Sequence, residues 1–307
     1  MSYPSFERAA EVVDQFIDLL AEHGVELNLG STAEGEALAM IDIFDMWKNP
    51  ARRPSDPRPI ARAAMGFVDL AGKVVGVKDH PDFGQLVPHL QMLGKTTVLQ
   101  NAASKVTDDA ANKVIELYVA CLAMTFGSNI ALDHPVNSKG DNPDVMLDFR
   151  GQRWALALKT LHSRKPRTIY DNIKKAADQI EASPASHGLV VLNVKNLLDY
   201  DALWPSPNVS YPEQLAFDLL KAQVASIIHG LEEIAIEDWQ EALALSRKAA
   251  LPIVFIGQAG FSAVPEFGDQ PHFMSLKAVS SYLEPHGDPK GSMKLVRELH
   301  HASQQFI

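Results

Sequence analysis

The hydrophobic pattern divides the chain into a helical first third and a later part in which helices and strands alternate. Apolar residues recur at helical spacing from Phe6 to Leu20, and Gly24 follows as a stop signal. Further helical pattern continues to about Leu99. We therefore predict a mainly helical N-terminal region over residues 1–100.

After this region, short aliphatic runs typical of strands appear between helical stretches. In chain order, the predicted elements are a helix from about 107 to 126, strands at 129–132 and within 141–160, a helix at 168–182, a strand at 188–194, a helix at 211–230 and a strand at 251–257. This order predicts an α/β (α+β) domain over residues 101–265, with a mixed sheet flanked by helices. Residues 266–307 are predicted to form a C-terminal extension with a terminal helix.

The segment DNPDVMLDFRGQRWALALKT, residues 141–160, predicts a hairpin with one apolar and one polar face. A two-residue turn at Gly151-Gln152 would pair Asp144 with Lys159. The other face is then apolar throughout: Val145, Leu147, Phe149, Trp154, Leu156 and Leu158. A slip of one residue would destroy this division, so we expect the acid and the base side by side on one face. An exposed ion pair of this kind contributes only ~0–1 kcal/mol, which leaves a purely structural role open.

The composition of the chain disfavours some classes of partner and says less about the fold. The 307 residues are 46% hydrophobic and carry a net charge of −10, which is typical of a globular protein without a general basic surface. Cys121 is the single cysteine, so no intrachain disulfide is possible. No apolar run approaches the ~18 residues of a membrane span, and the N-terminus lacks the pattern of a secretory signal. We expect a cytoplasmic protein without a membrane partner.

A local basic run follows the predicted hairpin. Residues 159–175 contain six cations against one acid, Asp171. Besides Lys159, these cations are Arg164, Lys165, Arg167, Lys174 and Lys175. In an acidic chain this excess favours contact with nucleic acid. A solvated loop and helix face is the alternative interpretation.

Pro143-Asp144, Lys159 and the elements around them resemble the PD-(D/E)XK nuclease superfamily, the restriction-endonuclease-like fold. In that family a helix contributes a glutamate, the second strand carries Pro-Asp, and the third strand carries acid-x-Lys. The following helix often carries a glutamine. The matching residues in this chain are Glu116, Asp144, Lys159 and Gln179, and the resemblance covers about residues 107–194.

The resemblance implies a nuclease that hydrolyses phosphodiester bonds with Mg²⁺ or Mn²⁺, as in DNA restriction, defence or repair. Asp144 and Glu116 would bind the metal, which neutralises phosphate charge and lowers the pKa of a bound water. Lys159 would orient that water or stabilise the developing charge. DNA is the favoured partner, while RNA and a homodimer stay open.

The chain departs from the family at the third-strand acid, where it has Ala157. A carboxylate from elsewhere could fill the gap, the site could bind nucleic acid or protein without cutting, or the resemblance could be one of fold alone. The acids that could replace the third-strand acid are Glu116, Asp148, Asp171 and Glu181. Glu116 is the only charged residue between Val114 and Phe126, and we predict that it projects toward Asp144.

Overall fold

Helices form in the first hundred residues where the apolar spacing predicts them. They are α1 (Phe6–Glu22), α2 (Thr32–Lys48), α3 (Arg58–Val75) and α4 (Val87–Leu90). Ser5 and Ser31 cap α1 and α2, because each hydroxyl accepts the backbone N–H three residues later. Phe16 of α1 packs edge-to-face on Phe67 of α3, with ring centroids 5.7 Å apart, so these helices share one core.

The later helices and strands follow the predicted order and add two strands. They are α5 (Asp109–Met124), β1 (Ser128–Leu132), β2 (Val145–Phe149), β3 (Gln152–Thr160), α6 (Pro166–Ala182), β4 (His187–Asn193), α7 (Tyr200–Leu203), β5 (Tyr211–Pro212), α8 (Glu213–His229), α9 (Ile236–Ala242), β6 (Ala249–Val264), β7 (His272–Tyr282) and α10 (Ser292–Gln304). This computed structural model describes residues 5–27, 29–105, 109–136, 142–244, 247–266, 268, 270–282 and 291–305. None of the described helices combines the length and the apolar character that crossing a membrane requires.

The strands form one mixed sheet in the order β1-β2-β3-β4-β6-β5, with β7 along β6. β1, β2 and β3 are antiparallel neighbours, β3, β4 and β6 run parallel, and β6 and β7 are antiparallel. The predicted mixed sheet between helices is therefore confirmed.

Helices cover both faces of this sheet, and each face has its own apolar core. On β4, Leu189 and Val191 pack in the core that contains α5 and the N-terminal helices. Val190 and Leu192 pack on the other face with α6 and α8. The continuous aliphatic run of β4 is thus explained, because both faces of the strand are buried.

The β2–β3 hairpin has the predicted faces but a different register. Met146 lies opposite Ala155 and Phe149 opposite Gln152, so the loop is Arg150-Gly151. The prediction of a Gly151-Gln152 turn was wrong, because Arg150 adopts a positive φ of 52° beside the 76° of Gly151. This is the type I′ geometry that matches strand twist. The register moves by two residues, which leaves every side chain on its predicted face.

The sheet continues beyond residue 265. β7 pairs with β6 from Ile253↔Tyr282 to Ala263↔His272, so the predicted boundary falls within the β6–β7 hairpin. The terminal helix α10 packs against α5 and β7 and buries Leu295 and Leu299. The C-terminal segment therefore contributes to the same sheet and core as the preceding residues.

Candidate active site

A buried aspartate lies where β2 begins. Asp144 directly precedes β2, and its Oδ2 accepts a hydrogen bond of 2.6 Å from the backbone N–H of Leu158 in β3. Its backbone carbonyl accepts the N–H of Asp133 at 3.0 Å, which ties it to the end of β1. Asp144 is only 7% exposed. Continuing the strand register by one pair sets it opposite Ala157, at the position where the resembled family has its acid.

Lys159 and Gln179 meet beside this aspartate. Lys159 lies near the end of β3 on the same face as Asp144, and its Nζ donates to Oε1 of Gln179 on α6 at 2.6 Å. The Gln179 Nε2 donates to the backbone carbonyl of Asn142 at 3.2 Å. Lys159 and Asp144, both within the described residues, form no ion pair. The observed register differs by two residues from the predicted one and sets Asp144 opposite Ala157 instead. Burial lowers the pKa of Lys159, and the nearby Asp144 opposes that shift.

Glu116 reaches the same place from α5. Its carboxylate lies near that of Asp144, since each of the two acids acts on the pKa of the other. The Nζ of Lys113 donates to Glu116 Oε1 at 2.7 Å, and the His89 Nε2 lies 3.1 Å from Oε2. Glu116 is 5% exposed. It therefore projects toward Asp144, as its position in an uncharged helical run predicts.

Burial determines the charge state of the two acids. Burial, and secondly the neighbouring Glu116, raise the pKa of Asp144 to about 7 against the opposing effects of Lys159 and the Leu158 N–H. Burial also raises the pKa of Glu116, which the Lys113 ammonium opposes. Two carboxylates in one buried place cannot both ionise cheaply. A proton on one of the two carboxylates, or a cation bound between them, therefore stabilises the pair.

Two basic side chains that the sequence did not identify hold Glu116 in position. Burial and the nearby Lys113 lower the pKa of His89 to about 4, so its ring is neutral at pH 7. The tautomer that carries its proton on Nε2 donates to ionised Glu116. Lys113 lies three residues before Glu116 on the same helix, a spacing that could have indicated the pair. His89 comes from α4, and no local pattern connects it to Glu116.

We refer to Glu116, Asp144, Lys159, Gln179, His89 and Lys113 as the cluster. Asp133 adds a third carboxylate at its edge. It influences the pKa values of Lys113 and Glu116, and its Oδ1 accepts the Asn142 side-chain amide at 3.3 Å. Asp133 directly follows β1, and an acid at the end of a strand next to the hairpin is the signal that could have identified it.

The other candidate replacement acids lie elsewhere. Asp148 accepts the Asn129 amide at 2.6 Å and pairs with Arg153 at 3.1 Å, near the hairpin turn. Asp171 is exposed and lies 3.4 Å from Arg167, while Glu181 accepts the N–H of Ala249 at 3.2 Å. Of the four acids, only Glu116 joins the cluster.

The basic run is largely paired with protein groups. Arg164 donates to the carbonyl of Leu197 at 3.1 Å. Arg167 pairs with Asp238 at 2.9 Å as well as with Asp171, and Lys174 pairs with Glu241. Lys165 and Lys175 are exposed and have no acidic partner in the described part of the chain. The positive potential here is therefore weaker than the sequence count indicates.

The two buried carboxylates suit a hard cation with an incomplete protein ligand set. Among the described residues, no three His, Cys, Asp or Glu side chains are grouped so that they could hold a metal ion. Mg²⁺ commonly takes one or two carboxylates and completes its coordination with water and substrate phosphate. Asp144 and Glu116 fit such a site, whereas a closed zinc site would need four ligands.

A cleft of about 1160 Å³ lies elsewhere, and none of Glu116, Asp144, Lys159 and Gln179 lines it. It is bordered by α1, α2, α3 and β7. The candidate site is defined by its convergent polar groups.

Comparison of the chain with models of protein families, with curated proteins and with solved structures gives no match.

Proposed function

We propose that the chain is a metal-dependent nuclease that hydrolyses phosphodiester bonds in nucleic acid, with DNA as the expected substrate. One observation carries this proposal: Glu116 and Asp144, from two separate elements, meet in a buried site next to a lysine fixed by a glutamine. The element order α5, β1, β2, β3, α6, β4 and the parallel β3–β4 pair support a restriction-endonuclease-like core. A role in DNA restriction, defence or repair would follow.

The position of each residue in the site indicates its role in the proposed reaction. Asp144 and Glu116 would hold Mg²⁺ or Mn²⁺, which supplies charge neutralisation at phosphate and an acidified water. The N–H of Leu158 points toward Asp144. In a strand, the N–H and the C=O of one residue point to the same side, so the Leu158 carbonyl oxygen is a further candidate ligand. Lys159, held by Gln179, would stabilise negative charge on the phosphate.

His89 and Lys113 act through Glu116 rather than on substrate. Together they fix both carboxylate oxygens, so Glu116 stays oriented and more readily ionised although it is buried. Glu116 then supplies the carboxylate that is missing at Ala157, which favours the first of the three explanations for that departure.

A second candidate function is a binding module for nucleic acid or protein without catalysis. The Lys113 ammonium favours it, because it lies 2.7 Å from Glu116 Oε1 and supplies a positive charge where a metal ion would otherwise be needed. In this alternative, basic side chains of the protein neutralise the charge of the acids, and the cluster has a structural role.

A cleavage assay on single- and double-stranded DNA and RNA with Mg²⁺ or Mn²⁺ separates these functions. We expect wild type to cleave and Glu116→Gln and Asp144→Asn to lose at least a hundredfold in rate, since removing such a group costs ~3 kcal/mol or more in activation free energy. Asp148→Asn is the matched control, because Asp148 lies on the same hairpin face but outside the cluster. Absence of both cleavage and calorimetric Mn²⁺ uptake in wild type would leave the binding module and a purely structural cluster.

A further inference from the structure

Nearly all of the excess negative charge lies in the first fifty residues. They contain ten acidic and two basic residues, a net charge of −8 out of −10. The other 257 residues hold 28 acids against 26 bases and are close to neutral. Such a strong asymmetry indicates a cationic partner for the N-terminal helices.

The same helices form an apolar groove. α1 and α2 enclose a cleft of about 360 Å³. Its apolar lining consists of Ala10, Val13, Ile17, Leu27, Ala37, Leu38, Met40, Ile41 and Phe44, and Asp14 and Glu34 complete it. Leu38 and Ile41 are 48% and 64% exposed, which is unusual for neighbouring large aliphatic side chains. We refer to these residues as the α1–α2 groove.

Exposed acids lie on the two helices that form this groove. Asp14 is part of the lining, and Asp18 and Asp42 are exposed on the same two helices. Within the described ranges these three carboxylates have no basic partner. Lys48 lies 3.9 Å from the ring of Phe44, but acids outnumber bases on these helices. A predominantly acidic surface repels a second copy of itself, nucleic acid and anionic lipid, and attracts a cationic protein segment.

We propose that the α1–α2 groove binds a cationic amphipathic helix of a partner protein. The lining residues recur at i, i+3, i+4 and i+7 on α1 and at i, i+4 and i+7 on α2, so each helix presents a ridge to the groove. The apolar ridge of a third helix can pack into the space between these two ridges. Lysine or arginine side chains on the flanks of that helix meet Asp14, Asp18 and Asp42. The groove shares no residue with the candidate active site, so this proposal stands apart from the nuclease function.

The test uses the full chain and a fluorescent synthetic peptide of leucine and lysine with leucines at helical spacing. Fluorescence anisotropy should show saturable binding. The double variant Leu38→Ser/Ile41→Ser should weaken it tenfold or more, because two apolar contacts are lost. The variant Asp14→Asn/Asp18→Asn should weaken it at low salt and make less difference at high salt.

A matched control is available elsewhere on the surface. Leu215→Ser/Ile236→Ser removes two aliphatic side chains that are 46% and 49% exposed on α8 and α9, and it should leave binding unchanged. Circular dichroism melts establish that every variant folds.

Three results would overturn the proposal. The first is no binding of the peptide by wild type. The second is equal binding of a peptide of the same composition in scrambled order, which would reduce the effect to charge alone. The third is a wild-type dimer in sedimentation that Ile41→Ser dissociates, since a second copy would then be the occupant. Nuclease activity should be the same in all of these variants, so failure here is distinguishable from failure of the function proposed above.

Discussion

The burial of two acids, Asp144 and Glu116, lowers the stability of the folded protein when they are ionised. The folded protein holds a proton on Asp144 more tightly than the unfolded chain does, because burial raises this pKa from near 4 to about 7. Its contribution to stability is therefore present at low pH and is lost as pH rises from about 4 to about 7. A group that weakens the fold at neutral pH is typical of a functional site.

Asp144→Asn should raise the stability of the metal-free protein above pH 7 and flatten its dependence on pH between 4 and 7. The amide still accepts the Leu158 N–H but does not ionise, and the gain should be on the order of 2–4 kcal/mol. Thermal melts across this pH range measure it. Asp148→Asn should act in the opposite direction, because hydrogen bonds from Asn129 and Arg153 lower the pKa of Asp148 and its charge stabilises the fold. Equal melting of Asp144→Asn and wild type at pH 8 would contradict the buried acid pair.

Lys113→Gln separates the two functions proposed for the cluster. If Glu116 binds metal in wild type, removing the Lys113 ammonium should raise the pKa of Glu116 and move the acidic limb of the pH–rate profile to higher pH. If Lys113 takes the place of the metal, wild type should bind no Mn²⁺ and the variant should acquire Mn²⁺ binding. Calorimetric titration with Mn²⁺ distinguishes the outcomes, and a merely structural lysine would change neither quantity.

At the scale of elements, the β2–β3 turn sets the register that brings Asp144 opposite Ala157. Arg150 is held in the left-handed region, where asparagine is better tolerated than other side chains. Arg150→Asn should therefore stabilise the protein by up to about 1 kcal/mol, and Gly151→Ala should destabilise it by about 1 kcal/mol. Chemical denaturation measures both. A turn at Gly151-Gln152 would instead make Arg150→Asn neutral, which would contradict the register described here.

At the scale of the whole molecule, the C-terminal segment completes the sheet and supports α5. β7 pairs with β6 along eleven residues, and α10 covers the helix that carries Glu116. A chain ending at residue 265 should therefore lose cooperative unfolding and nuclease activity, because one edge of β6 and the apolar surface under α10 become exposed. Circular dichroism melts of this truncated chain provide the measurement. A soluble fragment that melts cooperatively would instead support residues 266–307 as a separable extension.

The sequence alone determined the local features of this protein. The helix–strand order, the two faces of the β2–β3 hairpin and the place of Glu116 in an uncharged run all follow from periodicity, which is a property of neighbouring residues. The four residues selected from the resemblance, Glu116, Asp144, Lys159 and Gln179, also meet in one place. They do so because the element order carries each of them to the same end of the β2–β3 pair.

Tertiary structure decided what depends on residues far apart in the chain. His89 reaches Glu116 from α4. Arg167 pairs with Asp238, and Lys174 pairs with Glu241, both on α9. β7 completes the sheet by pairing with β6. No local pattern encodes these contacts, because each arises from the packing of elements that the sequence separates widely. The hairpin register also required the structure, since two neighbouring turns give the same faces and only the backbone conformation of Arg150 selects between them.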